Sequence, residues 1–210
     1  MRFRTSIFVL VLALQSCANA QNSLDPCGDD FSDAYYNGVV KRIDDAVARK
    51  SSLQVTTFPS FQVESGLRLV GSEIYYVEFQ NQFWNESTVW DGKGNGHMDF
   101  SKPKGTAKAR HAPLETSLAA RILRLYSKAI AQAAPSNRRG LDGTSYVFST
   151  PDGACGRTWS PEPETHAGQL IELARRLETH TKFSTPNDLH RSEKAIVRYL
   201  NTIERNGARP

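Results

Sequence analysis

The sequence predicts a single α+β domain, an antiparallel β-meander of about five to six strands packed by about four α-helices and held by one disulfide. Three observations carry that expectation. Apolar residues recur at three-to-four spacing in four separate stretches, and at a spacing of two between the first and second of them. Gly-rich and Asn-containing turns separate the alternating runs at hairpin distance. Two cysteines, Cys27 and Cys155, form an even pair once the first 20 residues are set aside.

Those 20 residues read as a secretory signal peptide. Arg2 and Arg4 precede an unbroken apolar run from Ile7 to Leu14, and Ala18-Asn19-Ala20 supplies small residues at a cleavage site. The run is far too short to cross a bilayer as a helix, and no later stretch is apolar enough to do so. An alternative cut stays open: Leu14-Gln15-Ser16-Cys17 resembles a bacterial lipobox, in which an acylated Cys17 would anchor the chain to lipid, although glutamine sits awkwardly at its second position. Either route predicts an exported protein, periplasmic or secreted, or else an outer-membrane lipoprotein. A Cys27–Cys155 disulfide is the expected state in such a compartment.

Residues 21–30 read as a short tether, and the domain is expected over 31–206. Asp29, Asp30 and Asp33 crowd the start of a helix predicted over 31–50, whose stripe is Tyr36, Val39, Val40, Ile43 and Val47. Leu53, Val55 and Thr57 then alternate, with Pro59 ending the strand. Leu67–Val70 and Glu73–Phe79 flank the hairpin turn Gly71-Ser72, a further strand is predicted from Phe83 to Trp90, and His97–Phe100 could add a last one. Pro103 and Gly105 open an apolar-poor basic linker that runs to about His111. A second helix, 113–134, carries the stripe Leu114, Leu118, Ile122, Leu125, Tyr126, Ala129 and Ala133. Strand 144–149 should rejoin the sheet with Tyr146 and Phe148 turned inward. Helices 163–180 and 186–205 finish the chain, the last opened by Thr185-Pro186-Asn187-Asp188.

Charge is distributed unevenly. Without Arg2 and Arg4, 24 basic residues face 22 acidic ones. Yet Lys102, Lys104, Lys108, Arg110, Arg121, Arg124, Lys128, Arg138 and Arg139 face only Glu115 between residues 102 and 139, a local net of +8. Such one-sidedness predicts an anion-attracting face suited to an acidic protein or an anionic envelope polymer. Nucleic acid is not the expected partner, because the segment lacks interleaved aromatic stacking residues: Tyr126 falls on the core stripe.

Other motifs carry less. Asp91-Gly92-Lys93-Gly94-Asn95-Gly96-His97-Met98-Asp99 resembles an EF-hand calcium loop, with Asp91, Asn95 and Asp99 at ligand positions. Lys93 and Lys102 occupy two further ligand positions, where carboxylates or other oxygens belong, so a Gly-rich turn is the plainer reading and no metal or cofactor is expected. Ser101-Lys102-Pro103-Lys104 has Ser-x-x-Lys spacing without its companion motifs. The five histidines show no zinc spacing. Trp84, Trp90, Trp159, Phe79, Phe83, Tyr75 and Tyr76 make an aromatic-rich region, either core or a partly exposed binding face. Taken together, the expected function is non-enzymatic: an exported protein binding another macromolecule of the cell envelope, such as an accessory or an inhibitor/immunity-type factor. A cell-envelope hydrolase with a composite active site is the alternative.

Overall fold

The computed structural model describes residues 24–28, 33–100, 105–136 and 142–207. The fold is α+β, with one antiparallel sheet of seven strands instead of five to six. The sheet runs in the order β1 (Asp25–Pro26), β9 (Cys155–Trp159), β8 (Thr144–Ser149), β2 (Leu53–Pro59), β3 (Ser65–Val70), β4 (Glu73–Phe79), β7 (Ala107–Pro113). Two short strands, β5 (Thr88–Trp90) and β6 (Gly96–Met98), form a hairpin of their own. The helices are α1 (Ala34–Val47), α2 (Phe83–Ser87), α3 (Thr116–Ala131), α4 (His166–His180) and α5 (Pro186–Gly207).

Helices cover both faces of the sheet, which alternation alone does not require. Leu53, Val55, Leu67, Leu69, Ile74 and Phe148 point to one core, shared with α3, α4 and α5. Phe58, Val70, Val77 and Phe79 point to a second core under Val39, Ile43 and Val47 of α1. Between the two, all six residues of β3 are buried. One of them is Arg68, 1 % exposed. Its Nε donates to Asp44 of α1 at 2.6 Å, and its Nη1 donates to the Leu67 carbonyl at 3.0 Å. Burial pulls the guanidinium pKa down, while Asp44 opposes the shift.

Three sheet members were not readable as strands. β7 lies within the expected basic linker. It is an edge strand, so its alternation of alanine with Lys108 and Arg110 needs little apolar content. Lys108 stands opposite Glu78, and the Arg110 guanidinium lies 4.6 Å from the Tyr76 ring centroid. β9 is short and contains Gly156, where a Cβ would come within 2.9 Å of Leu24. β1 occupies the expected tether. The expected strand 83–90 is instead α2 followed by β5, and the expected strand at 97–100 is β6, paired with β5 outside the main sheet.

Helix ends follow their caps. Asp33 Oδ1 accepts from Tyr36 N at 2.9 Å to open α1, and Ala48, at φ 55°, stops it short of residue 50. α3 begins at Thr116 because Pro113 belongs to β7 and Glu115 accepts from Ser117 N. Thr185 Oγ1 accepts from Asp188 N at 3.2 Å at the start of α5, as the sequence predicts.

Late in sequence, β8 inserts between β2 and β9, pairing Val55 with Phe148 and Thr57 with Tyr146. The outer edge is then tied down. Leu24 is buried, Asp25 accepts from Ser136 Oγ at 2.8 Å, and Cys27 is disulfide-bonded to Cys155 across 128 residues. Loop closure on that scale is worth about 5 kcal/mol in the chain-entropy treatment, of which natural bridges typically show about 2–4 kcal/mol. A Cys27→Ala/Cys155→Ala variant should lose about 2–4 kcal/mol in urea unfolding, with the Asp25 amide of β1 exchanging faster than the amides of β3. Unchanged stability would show that Leu24 and Asp25 hold this edge without the bridge.

Candidate functional site

Helix α1 packs over β3, β4 and β7. On the same face, Ser145, Val147 and Ser149 of β8 and Trp159 of β9 stay half-buried. A cleft of about 340 Å³ opens between the first turn of α1, the end of β2, α2 and the adjoining ends of β8 and β9. Tyr35 and Tyr36 come from α1, Phe58 from β2, Trp84 from α2 and Trp159 from β9. Tyr35 is the hub, with its ring centroid 5.2 Å from that of Tyr36, 6.0 Å from Phe58 and 5.6 Å from Trp84. Most of these pairs meet edge-on or tilted, as the ring quadrupoles favour.

At the inner end of the cleft is Glu64, 2 % exposed. Tyr35 Oη donates to its Oε1 at 2.7 Å, and the Phe83 amide donates to its Oε2 at 2.8 Å. The carboxylate therefore joins α1 to the start of α2 and helps turn residues 83–87 into a helix. Gly38 permits this arrangement, because a Cβ there would meet the Phe83 ring at 2.6 Å. Among the described residues no lysine, arginine or histidine lies within ion-pair distance of Glu64. Arg42, which lies over the Phe79 and Phe83 rings, pairs instead with Glu86 at 2.5 Å. Burial and the neighbouring Glu64 carboxylate push the Tyr35 hydroxyl well above the usual phenol range.

Polar groups complete the walls. Gln82 Nε2 donates to the Gln62 carbonyl at 3.2 Å, holding the β2–β3 loop against α2. Phe61, within that loop, is 77 % exposed, and Trp84 is 51 % exposed. On the other side Gly143 has φ 151°, and a Cβ would meet Ser160 Oγ at 2.5 Å and the Trp159 ring at 2.9 Å. Glycine here lets the chain pass behind Trp159.

The basic segment does not form this cleft. Arg110 is engaged by Thr181 Oγ1 and Glu178, and Arg121 makes a two-pronged contact with Glu204 at 2.9 and 2.7 Å. Lys108, Arg124 and Lys128 are exposed. Lys128 helps lower the pKa of His166, after the larger effect of burial. Lys102, Lys104, Arg138 and Arg139 lie outside the described residues, as does Cys17. The calcium-like loop is the β5–β6 turn. Asp91 Oδ1 accepts from the amides of Lys93 and Asn95, and its Oδ2 accepts from Asn95 Nδ2, so the turn itself engages the carboxylate. Asp99 lies beyond β6, its amide donating to the Ser87 carbonyl.

The aromatic-rich region divides. Phe79, Phe83 and Tyr76 are core, while Trp84, Trp90 and Trp159 are exposed or half-buried. Tyr35 and Glu64, the centre of the cleft, had no sequence signal as site residues. Aromatic density near Trp84 was the available hint. No known protein family, curated protein or solved structure matches this chain.

The three most protected phenols give a pH prediction. Burial raises the hydroxyl pKa of Tyr35, Tyr126 and Tyr76, the last to about 12. In the unfolded chain all would ionise near pH 10. Their protonated forms therefore favour the native state fully below pH 10; the contribution of Tyr76 is lost as pH rises through about 12, and those of Tyr35 and Tyr126 at higher pH still. Alkaline titration at 295 nm should show these tyrosines ionising together with loss of the circular dichroism signal, while exposed phenols ionise earlier. Complete tyrosine ionisation with the fold intact would contradict their burial.

Proposed function

We propose that this chain is an exported, non-enzymatic binding protein of the cell envelope, an accessory or inhibitor/immunity-type factor. It holds another macromolecule at the cleft between α1, α2 and the β8–β9 end. The observation that carries this reading is the aromatic arrangement: Trp84, half exposed, lines the cleft with Tyr36, Phe58 and Trp159, and Phe61 stands exposed in the adjoining β2–β3 loop, next in sequence to the lining residue Ser60. Large aromatics left in water beside a preformed concavity are the side chains on which binding energy concentrates. The signal-peptide anatomy of residues 1–20 and the Cys27–Cys155 bridge support the compartment. Lys108, Arg124 and Lys128 supply positive charge elsewhere on the surface, which would steer an acidic partner more than hold it.

Capture from the envelope extract of the producing cell tests the assignment, with bound material quantified by mass spectrometry. Trp84→Ala combined with Phe61→Ser should lower recovery of the specific partner about tenfold or more, as for hot-spot aromatics. Arg124→Glu with Lys128→Glu should slow association and change its salt dependence. Loss of capture in the charge-reversed variant alone would transfer the contact to the basic face.

A further inference from the structure

Glu64 is an unusual floor for an aromatic cleft. It is 2 % exposed, and its two described donors, a phenol and a backbone amide, are both neutral. Buried carboxylates are ordinarily paired with a cation, because desolvating an anion costs several kcal/mol. The Tyr35 hydroxyl and the capping of α2 each account for one hydrogen bond, the first to Oε1 and the second to Oε2. This leaves each oxygen one further acceptor site and the negative charge without a counter-ion among the described residues.

On the reading that the cleft is a docking site, we propose that its occupant is a lysine side chain of a partner protein, with the ammonium group at Glu64. The walls suit the stem of such a residue: Tyr36, Phe58, Trp84 and Trp159 offer apolar and π surface to four methylenes, and the charged end reaches the carboxylate. A volume of about 340 Å³ falls at the small end of the roughly 300–1,000 Å³ typical of ligand sites, enough for one extended side chain. Lysine is favoured over arginine by the acceptor geometry. A guanidinium fork uses two parallel acceptors on one carboxylate, but Tyr35 and Phe83 already take one position on each oxygen. A compact ammonium with three rotatable donors can use whichever position remains.

The test titrates the mature protein with Nα-acetyl-lysine methylamide and reads tryptophan fluorescence, since Trp84 and Trp159 line the cleft. The Nε-acetylated form of that amide and Nα-acetyl-arginine methylamide serve as comparison ligands. The expected result is saturable binding of the lysine amide, at least tenfold weaker binding of the neutral Nε-acetyl form, and weaker binding of the arginine amide. Glu64→Gln keeps an acceptor for the Phe83 amide and should lower lysine affinity at least tenfold, with its fold verified by circular dichroism. Trp84→Ala, at an exposed position, should lower it severalfold. Equal affinity for the charged and neutral lysine amides in the wild type would overturn the assignment whether or not Glu64→Gln folds. Tighter arginine binding would overturn the choice of lysine. Should Trp84→Ala/Phe61→Ser abolish partner capture while Glu64→Gln leaves capture and lysine affinity unchanged, the cleft stands as the contact and the cation is refuted. Should neither variant affect capture, both readings fall.

Discussion

The sheet is buried on both faces, and most of the molecule's departures from simple alternation follow from that. A strand with one wet face shows apolar and polar residues in turn, while a strand between two helical layers must be compatible with both. β3 is the extreme case, with six buried residues in succession. Arg68 is tolerated there because its Nε pairs with Asp44 on the helix above and its Nη1 donates to the Leu67 carbonyl, although its Nη2 has no hydrogen-bond partner among the described residues. Removing Asp44 would leave the same cation buried without its charge partner, which is more costly than replacing the pair. Gly66 belongs to the same constraint: a Cβ would come within 2.9 Å of Ile43, so the helix approaches the sheet closely where the side chain is missing.

The two layers are unequal in extent. Three helices cover one face, while α1, 14 residues long, lies over β3, β4 and β7 on the other. At the margin of its cover, β2, β8 and β9 turn a partly uncovered strip toward solvent. The cleft forms where this strip meets the first turn of α1. Its aromatic character follows from the location. Tyr35, Phe58 and Phe83 are the edge of the second core, and Trp84 and Trp159 continue that edge into water. Core packing and an exposed aromatic face are therefore two ends of one continuous cluster.

Periodicity revealed the long elements. α1, β2, β3, β4, β8 and the last two helices follow from apolar spacing and caps because each contributes regularly spaced apolar residues to the cores. The failures share a cause, since edge strands and short helices have little burial to record. β7 pairs all seven residues with β4 yet carries alanine and charge, and the sequence of such an edge is indistinguishable from a polar linker. Residues 83–87 have strand-like composition and become helical through a long-range contact, the Glu64 carboxylate on the Phe83 amide, which no local pattern encodes. The cleft was illegible for the same reason. Strand 144–149 and the Cys27–Cys155 clamp are found as the sequence predicts. Gly143 and Trp159 also become wall residues, because β8 and β9 come to lie beside β2 and α1 from more than 80 residues away.

Glu64 shows how one group can serve the fold and a site at once. As a structural residue, a glutamine could replace it, because a neutral amide can satisfy a phenol and a backbone N–H. A carboxylate accepts both bonds more strongly than an amide would, but two neutral donors do not cancel the negative charge it brings. The dipole of α2 offers little compensation, since that helix has five residues and presents barely one turn of aligned peptides. Arg42, the cation placed over the same Phe83 ring, directs its Nη1 to Glu86, while its Nη2 has no hydrogen-bond partner among the described residues and makes no ion pair with Glu64. The hydrogen bonds thus fix the position of Glu64 and leave its charge without an ion-pair partner among the described residues. Seen from the cleft, both have a use: the fold holds an anion at a fixed depth behind aromatic walls, and an anion so held favours a cation entering from outside.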